Sequence, residues 1–226
     1  MKVSVLRDGA AAFRDALRKG WTSGLEALYE TVPHWQAAWP PATPADLPTT
    51  IEAALQNSRT RGFWQGHAYY PKEAVIALAK REPDMLNLAF GRLFNSDLDL
   101  AQRYSQFVYY LDESLEEFRR ANRVAAPPTH YHDDYRMPSL YCCLHSPATH
   151  AYFEHEVYQK ALTTLEARDI SPAPDPERFA KSTKVAMTFL GNTDGWWEAH
   201  TGRLIDGDYR EVSALSASEF FRFLAS

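Results

Sequence analysis

The 226-residue sequence is poor in cysteine, and its two cysteines, Cys142 and Cys143, are adjacent. A bridge between neighbours would close a strained ring, so no disulfide framework exists. The pair reads as small buried filler in a reducing compartment. No apolar run approaches the ~18 residues that a membrane-spanning helix requires. Charge returns at Arg7-Asp8, too soon for the apolar core of a signal peptide. The expectation is a cytoplasmic protein without a membrane partner. Basic excess is lacking as well. The 24 Lys+Arg face 29 Asp+Glu, a net charge of −5, which excludes coating nucleic acid through charge alone.

Catalytic signatures are also missing. There is no Gly-x-x-x-x-Gly-Lys-Ser/Thr, hence no phosphate-gripping motor loop, and no Gly-x-Gly-x-x-Gly. There is no Gly-x-Ser-x-Gly elbow and no cysteine in a nucleophile context. Internal repeats and low-complexity tracts are absent. No cofactor is expected.

What is present is an ordinary globular composition, 45% apolar, 23% charged and 13% aromatic, long enough to bury a core without staples. The charge is uneven. Residues 1–60 hold 6 basic and 6 acidic side chains, residues 61–125 hold 9 and 9, and residues 126–226 hold 9 and 14. The deficit therefore lies beyond Pro127-Pro128, and a polyanion would meet the earlier part of the chain.

The apolar spacing is helical, predicting a mainly α, single compact multi-helix domain over 1–226. Aromatic loops interrupt it, and Pro127-Pro128 offers a sub-division into 1–124 and 130–226. Leu6, Ala10, Phe13 and Leu17 form one stripe, with Gly20 as its stop. Leu25, Leu28, Val32 and Trp35 form a second. A helix start is expected at Thr43-Pro44 or at the capping-box spacing Thr49 to Glu52. Pro83 separates two helices. Ser96-Asp97-Leu98-Asp99 caps the clearest stripe, Leu100 to Phe118, with Glu116 and Arg120 as an outer pair. Asp133 or Asp134 caps the helix after the proline turn, Asp175 caps another, and Ser216 to Glu219 caps the last. Gly195 to Tyr209 reads as a small β-hairpin or as loops.

Four groups could carry chemistry. Arg59, Arg61, Trp64, His67, Tyr69, Tyr70 and Lys72 interleave cations with π-faces, a mixture that suits base stacking with phosphate contacts or a flipped base. It equally suits aromatic core anchors. Arg119, Arg120 and Arg123, followed by Arg136, could position phosphates or simply complement a helix dipole. His130, His132, Asp133, Asp134, His145, His150, Glu154 and His155 offer metal-ligand chemistry, centred on His130, His132 and Asp134, without a zinc signature. A polar helix-capping loop explains them too. Trp196-Trp197 beside Glu198 and His200 would leave one indole exposed, as on a partner surface.

Several of these segments, in order, resemble a helical region that precedes the AAA+ motor in some McrB-like restriction proteins. Leu47 to Leu55 with Phe63-Trp64 is similar to its first part. Phe90-Gly91-Arg92-Leu93-Phe94-Asn95-Ser96 resembles a "Phe, two or three residues, Leu-Phe-Asp-Glu" segment. Leu100 to Phe107 resembles "Leu-x-x-Arg-Ile-x-x-Phe". His130-Tyr131-His132-Asp133-Asp134, running on to Ser139 and Tyr141, resembles a "His-x-Gln-Asp-Asp/Glu-x-x-x-x-Ser-x-Tyr-Leu" line, with His132 in place of Gln. Ser146-Pro147 with Tyr152-Phe153, and the segment Leu215 to Leu224, match later parts. The motor itself is not in this sequence. The resemblance implies a DNA-directed, non-enzymatic module of bacterial phage defence that senses modified bases or joins a separate motor or nuclease. The residue chemistry leaves two rivals: a metal-dependent hydrolase at His130, His132 and Asp134, and an acidic adaptor or DNA mimic.

Overall fold

Leu6, Ala10, Phe13 and Leu17 all turn inward from helix α1 (Val3–Arg18), and Gly20 follows with φ +85°, the left-handed turn expected of a stop. The computed structural model describes residues 1–40, 44–59, 71–122 and 134–226. Among these it is all helical. After α1 come α2 (Glu26–Ala38), α3 (Leu47–Ala54), α4 (Pro71–Arg81), α5 (Pro83–Leu93) and α6 (Leu100–Asn122). Then follow α7 (Arg136–His145), α8 (His155–Thr164), α9 (Pro176–Gly191), α10 (Trp196–Thr201) and α11 (Leu215–Ala225). No described helix is long and apolar enough to cross a membrane.

The capping chemistry is local and shifts some starts. Asp46, rather than Thr49, caps α3 by accepting the Thr49 N–H at 3.2 Å, while Thr43 lies outside the described residues. Asp99, the last of the four expected residues, accepts the Gln102 N–H at 2.7 Å to open α6. Asp175 caps α9 as expected, through the Arg178 N–H at 2.9 Å. Asp134 accepts the Arg136 N–H at 3.0 Å before α7, behind a left-handed Tyr135. The outer pairs of α6 are one residue tighter than the spacing predicted: Arg119 pairs with Glu116 and Arg120 with Glu117. In the segment expected to be a hairpin or loops, residues 196–201 are the short helix α10 and turns follow it.

Two apolar clusters make the core. The first is drawn chiefly from α2 to α7, around Trp35, Phe90, Phe107 and Tyr141. The second joins α1 to α8, α9, α10 and α11, around Phe13, Phe153, Phe179 and Phe220. Each cluster takes residues from both sides of Pro127-Pro128, a turn that lies outside the described residues. Cys142 and Cys143 are buried in the first cluster as free thiols. Burial pushes the Cys142 thiol up to about 12 and Cys143 higher still, so neither is a nucleophile at neutral pH.

Candidate recognition site

The described cations among those expected to contact phosphate are paired within the fold. Arg59 pairs with the buried Asp208 carboxylate, lies 3.5 Å from Glu30, and donates to the Glu26 carbonyl at 3.0 Å. It fastens the 204–208 turn to α2. Lys72 donates to the Leu55 carbonyl at 3.1 Å, closing the end of α3. Arg119 and Arg120 are exposed beside their glutamates, and Arg136 pairs with Asp134 at 3.1 Å. Arg61, Trp64, His67, Tyr69, Tyr70, Arg123, His130, His132 and Asp133 lie outside the described residues. Of the alternative metal set, only Asp134 is described. His150 precedes α8 rather than sharing a helical face with Glu154.

The cation that stands apart is the arginine of the Leu100 to Phe107 segment, which the sequence did not single out as a contact residue. Arg103, in the first turn of α6, is 8% exposed, and its partners among the described residues are uncharged. Its Nε donates to the Leu93 carbonyl at 2.6 Å, at the C-terminal end of α5. Nη1 lies 3.3 Å from His150 Nε2, and Nη2 donates to the Cys142 thiol at 3.6 Å. Arginine remains protonated in a protein. The α5 terminus returns only the partial negative charge of a helix dipole. No carboxylate answers this guanidinium among the described residues.

Both neighbouring imidazoles are held neutral. Burial first, and the Arg103 charge second, lower His150 to about 4, and the Lys184 ammonium of α9 adds to this. His145 is lowered by the same two leading causes. His145, at the end of α7, stacks on Phe94 with ring centroids 4.0 Å apart and 11° between planes. Its Nδ1 accepts from the Trp35 indole at 3.5 Å, leaving Nε2 to carry the proton. Trp35 in turn stacks on Trp39, at 4.6 Å and 7°. Trp39, Phe94 and His145 are half-exposed. An aromatic face therefore sits beside a guanidinium without an anion, with Lys184 near it. Stacking platforms and an uncompensated cation are the parts from which single-stranded nucleic-acid sites are built.

A second polar centre is buried and structural. Glu219, expected in a capping box, instead sits inside α11 with no exposure. It accepts from Ser23 Oγ at 2.6 Å, from Tyr29 Oη at 2.9 Å, and from Arg203 Nη2. Arg203 also reaches Glu26 at 3.1 Å and donates to His200 Nδ1 at 3.1 Å. The network joins α2, α10 and α11. Burial, then the Arg203 charge, lower His200 to about 3.

These two neutral histidines set a pH dependence. In the unfolded chain each protonates near its ordinary value of 6.5, and in the fold only near 3 or 4. Between those limits the unfolded chain binds more protons, so stability falls as pH drops through that window. Urea unfolding between pH 7.5 and 5, where ordinary carboxylates stay ionised, should give a steadily falling midpoint. His150→Gln should flatten the fall. An unchanged slope in that variant would show that His150 is not held neutral.

Compared with protein-family models, curated proteins and solved structures, the chain matches none.

Proposed function

We propose that this chain is a non-enzymatic recognition module that binds DNA through the Trp39–Phe94–His145 face, with Arg103 and Lys184 drawing the phosphate. The single observation that carries this reading is a buried guanidinium that no carboxylate answers among the described residues, beside half-exposed stacked rings. An unpaired or extruded base, modified or not, supplies the π-face, and its backbone supplies the anion. The restriction-like defence context, with a separate AAA+ motor or nuclease as partner, rests on the resemblance carried by segments such as His130 to Tyr141. The paired state of Arg59, Lys72, Arg119, Arg120 and Arg136 moves the favoured contact away from those residues. Fluorescence anisotropy with single-stranded and duplex oligonucleotides, with and without modified bases, tests the reading. Affinity should favour unpaired bases and fall steeply between low and physiological salt. Failure to bind any of these oligonucleotides at low salt would sink it.

A further inference from the structure

Arg103 and His150 form a pair in which only one member can carry a charge. Arg103 Nη1 lies 3.3 Å from His150 Nε2. A guanidinium only donates, so the Nε2 lone pair accepts. The ring proton is then on Nδ1, 2.8 Å from Thr149 Oγ1. A second proton, on Nε2, would set two donors face to face and bring two cations into contact. His150 is half-buried, so water cannot fully screen them. The side chains around the ring all oppose that proton: Arg103 from α6, His145 from the end of α7, and Lys184 from α9. The Ser146 backbone alone favours it, and no carboxylate faces His150 among the described residues.

A bound anion reverses this balance. A phosphodiester between Arg103 and Lys184 answers both cations and offers an acceptor to a second imidazole N–H. An opposite charge at contact range moves a titration by about 1–3 pH units. Starting from about 4 in the free chain, His150 would then titrate at roughly pH 5–7 in the complex. The bound state therefore holds more protons than the free state through that window. Linkage fixes the sign: the gain in affinity is complete below the free value of about 4 and is lost as pH rises through the bound value.

We propose that phosphate binding at Arg103 is coupled to proton uptake by His150, which changes from acceptor of Arg103 to second donor to the phosphate, so that affinity rises as pH falls. The proton comes from solvent and returns to it when the ligand leaves. This inference rests on the DNA reading of the same face and names its regulation. One histidine then acts with opposite signs, since acid weakens the free fold through His150 and tightens the complex through it.

The test titrates the full chain into rhodamine-labelled oligothymidine at fixed low salt between pH 7.5 and 5, with thermal melting to verify folding at each pH. Thymine and the phosphodiester keep their charge throughout, so the probe itself does not titrate. Affinity should rise by about threefold or more across the range. His150→Gln retains an acceptor for Arg103 but cannot take up the proton, so its affinity should be flat. His155→Gln, whose ring faces the Pro172 carbonyl, should keep the rise. Nuclear magnetic resonance of the parent chain's histidine ring protons needs no variant, and His150 should titrate at higher pH in the complex than free. Binding without a pH dependence, a rise that survives in His150→Gln, or a His150 titration unmoved by the oligonucleotide would each overturn the proton coupling alone. Absence of binding at every pH would sink the DNA reading and the coupling with it.

Discussion

Replacing Glu219 by leucine should lower the stability of this protein by about 3–5 kcal/mol, the usual cost of stranding one partner of a buried ion pair. At about 2–4 °C per kcal/mol for a domain of this size, the melting temperature falls by on the order of 10 °C. The reason lies in what remains. The Arg203 side chain is 14% exposed and cannot shed its charge. Without Glu219 it keeps Glu26 at 3.1 Å and the neutral His200, while its cation stands 5.7 Å from the centre of the Tyr29 ring. Tyr29 loses its carboxylate acceptor and keeps Ser216 at 3.3 Å. The double variant Arg203→Met with Glu219→Leu should recover most of the loss, because both desolvated charges go together. A double-mutant cycle by urea unfolding measures the coupling. If Glu219→Leu proves as mild as Glu117→Ala on the exposed face of α6, the network is not what joins α2 to α11.

This network was not legible in the sequence, and the reason is physical. Glu26, Arg203 and Glu219 are ordinary charges in three distant segments, and only packing makes them neighbours. Glu219 even sat at a plausible capping-box position, a local reading that needs no distant partner. Local signals fared better. The stripe Leu6, Ala10, Phe13 and Leu17 is read directly, because a helix turns every fourth residue inward whatever lies opposite it. Asp175 caps α9 because its carboxylate needs only a backbone N–H three residues on. Where two local solutions competed, as at Thr43 and Thr49, spacing could not choose, and Asp46 between them is the cap.

The candidate site divides along the same line. Clusters of cations, such as Arg119 and Arg120, drew attention as phosphate contacts. Their glutamates three residues earlier were visible in the sequence and answer those charges. Arg103 entered only as the arginine of the Leu100 to Phe107 segment and not as a contact residue, because a lone arginine in the first turn of a helix looks solvated. Its meaning comes from the convergence of the ends of α5 and α7, from the His150 turn, and from the lack of a carboxylate partner among the described residues. One signal was available: His145 and His150 flank the α7 terminus, and both were counted among the histidines as ligands rather than as neutral neighbours of a cation. Likewise Trp196 and Trp197 were expected to part company, one buried and one exposed. The structure buries Trp196 and leaves Trp197 half-exposed.

Trp39→Ala should weaken binding to a single-stranded oligonucleotide by about 5- to 150-fold, the worth of about 1–3 kcal/mol for one base stacked on an aromatic ring. Trp39 sits at the C-terminal end of α2 and is half-exposed, so its loss costs the core less than loss of the fully buried Trp35 beneath it. The electrostatic half separates from the stacking half by salt. Lys184→Gln should reduce the slope of log affinity against log salt by about 1, since one phosphate contact is lost, while the preference for unpaired bases stays. Arg103→Gln keeps a donor for the Leu93 carbonyl and removes the charge, so binding should fall at least tenfold. Arg119→Gln, whose cation already answers Glu116, should change little. Anisotropy titrations at three salt concentrations, with thermal melting to verify folding, give all four results. The aromatic face is wrong as the contact surface if Trp39→Ala and Arg103→Gln bind like the parent. A large loss in Arg119→Gln alone would return the contact to the end of α6, one of the two groups of cations that the sequence offered.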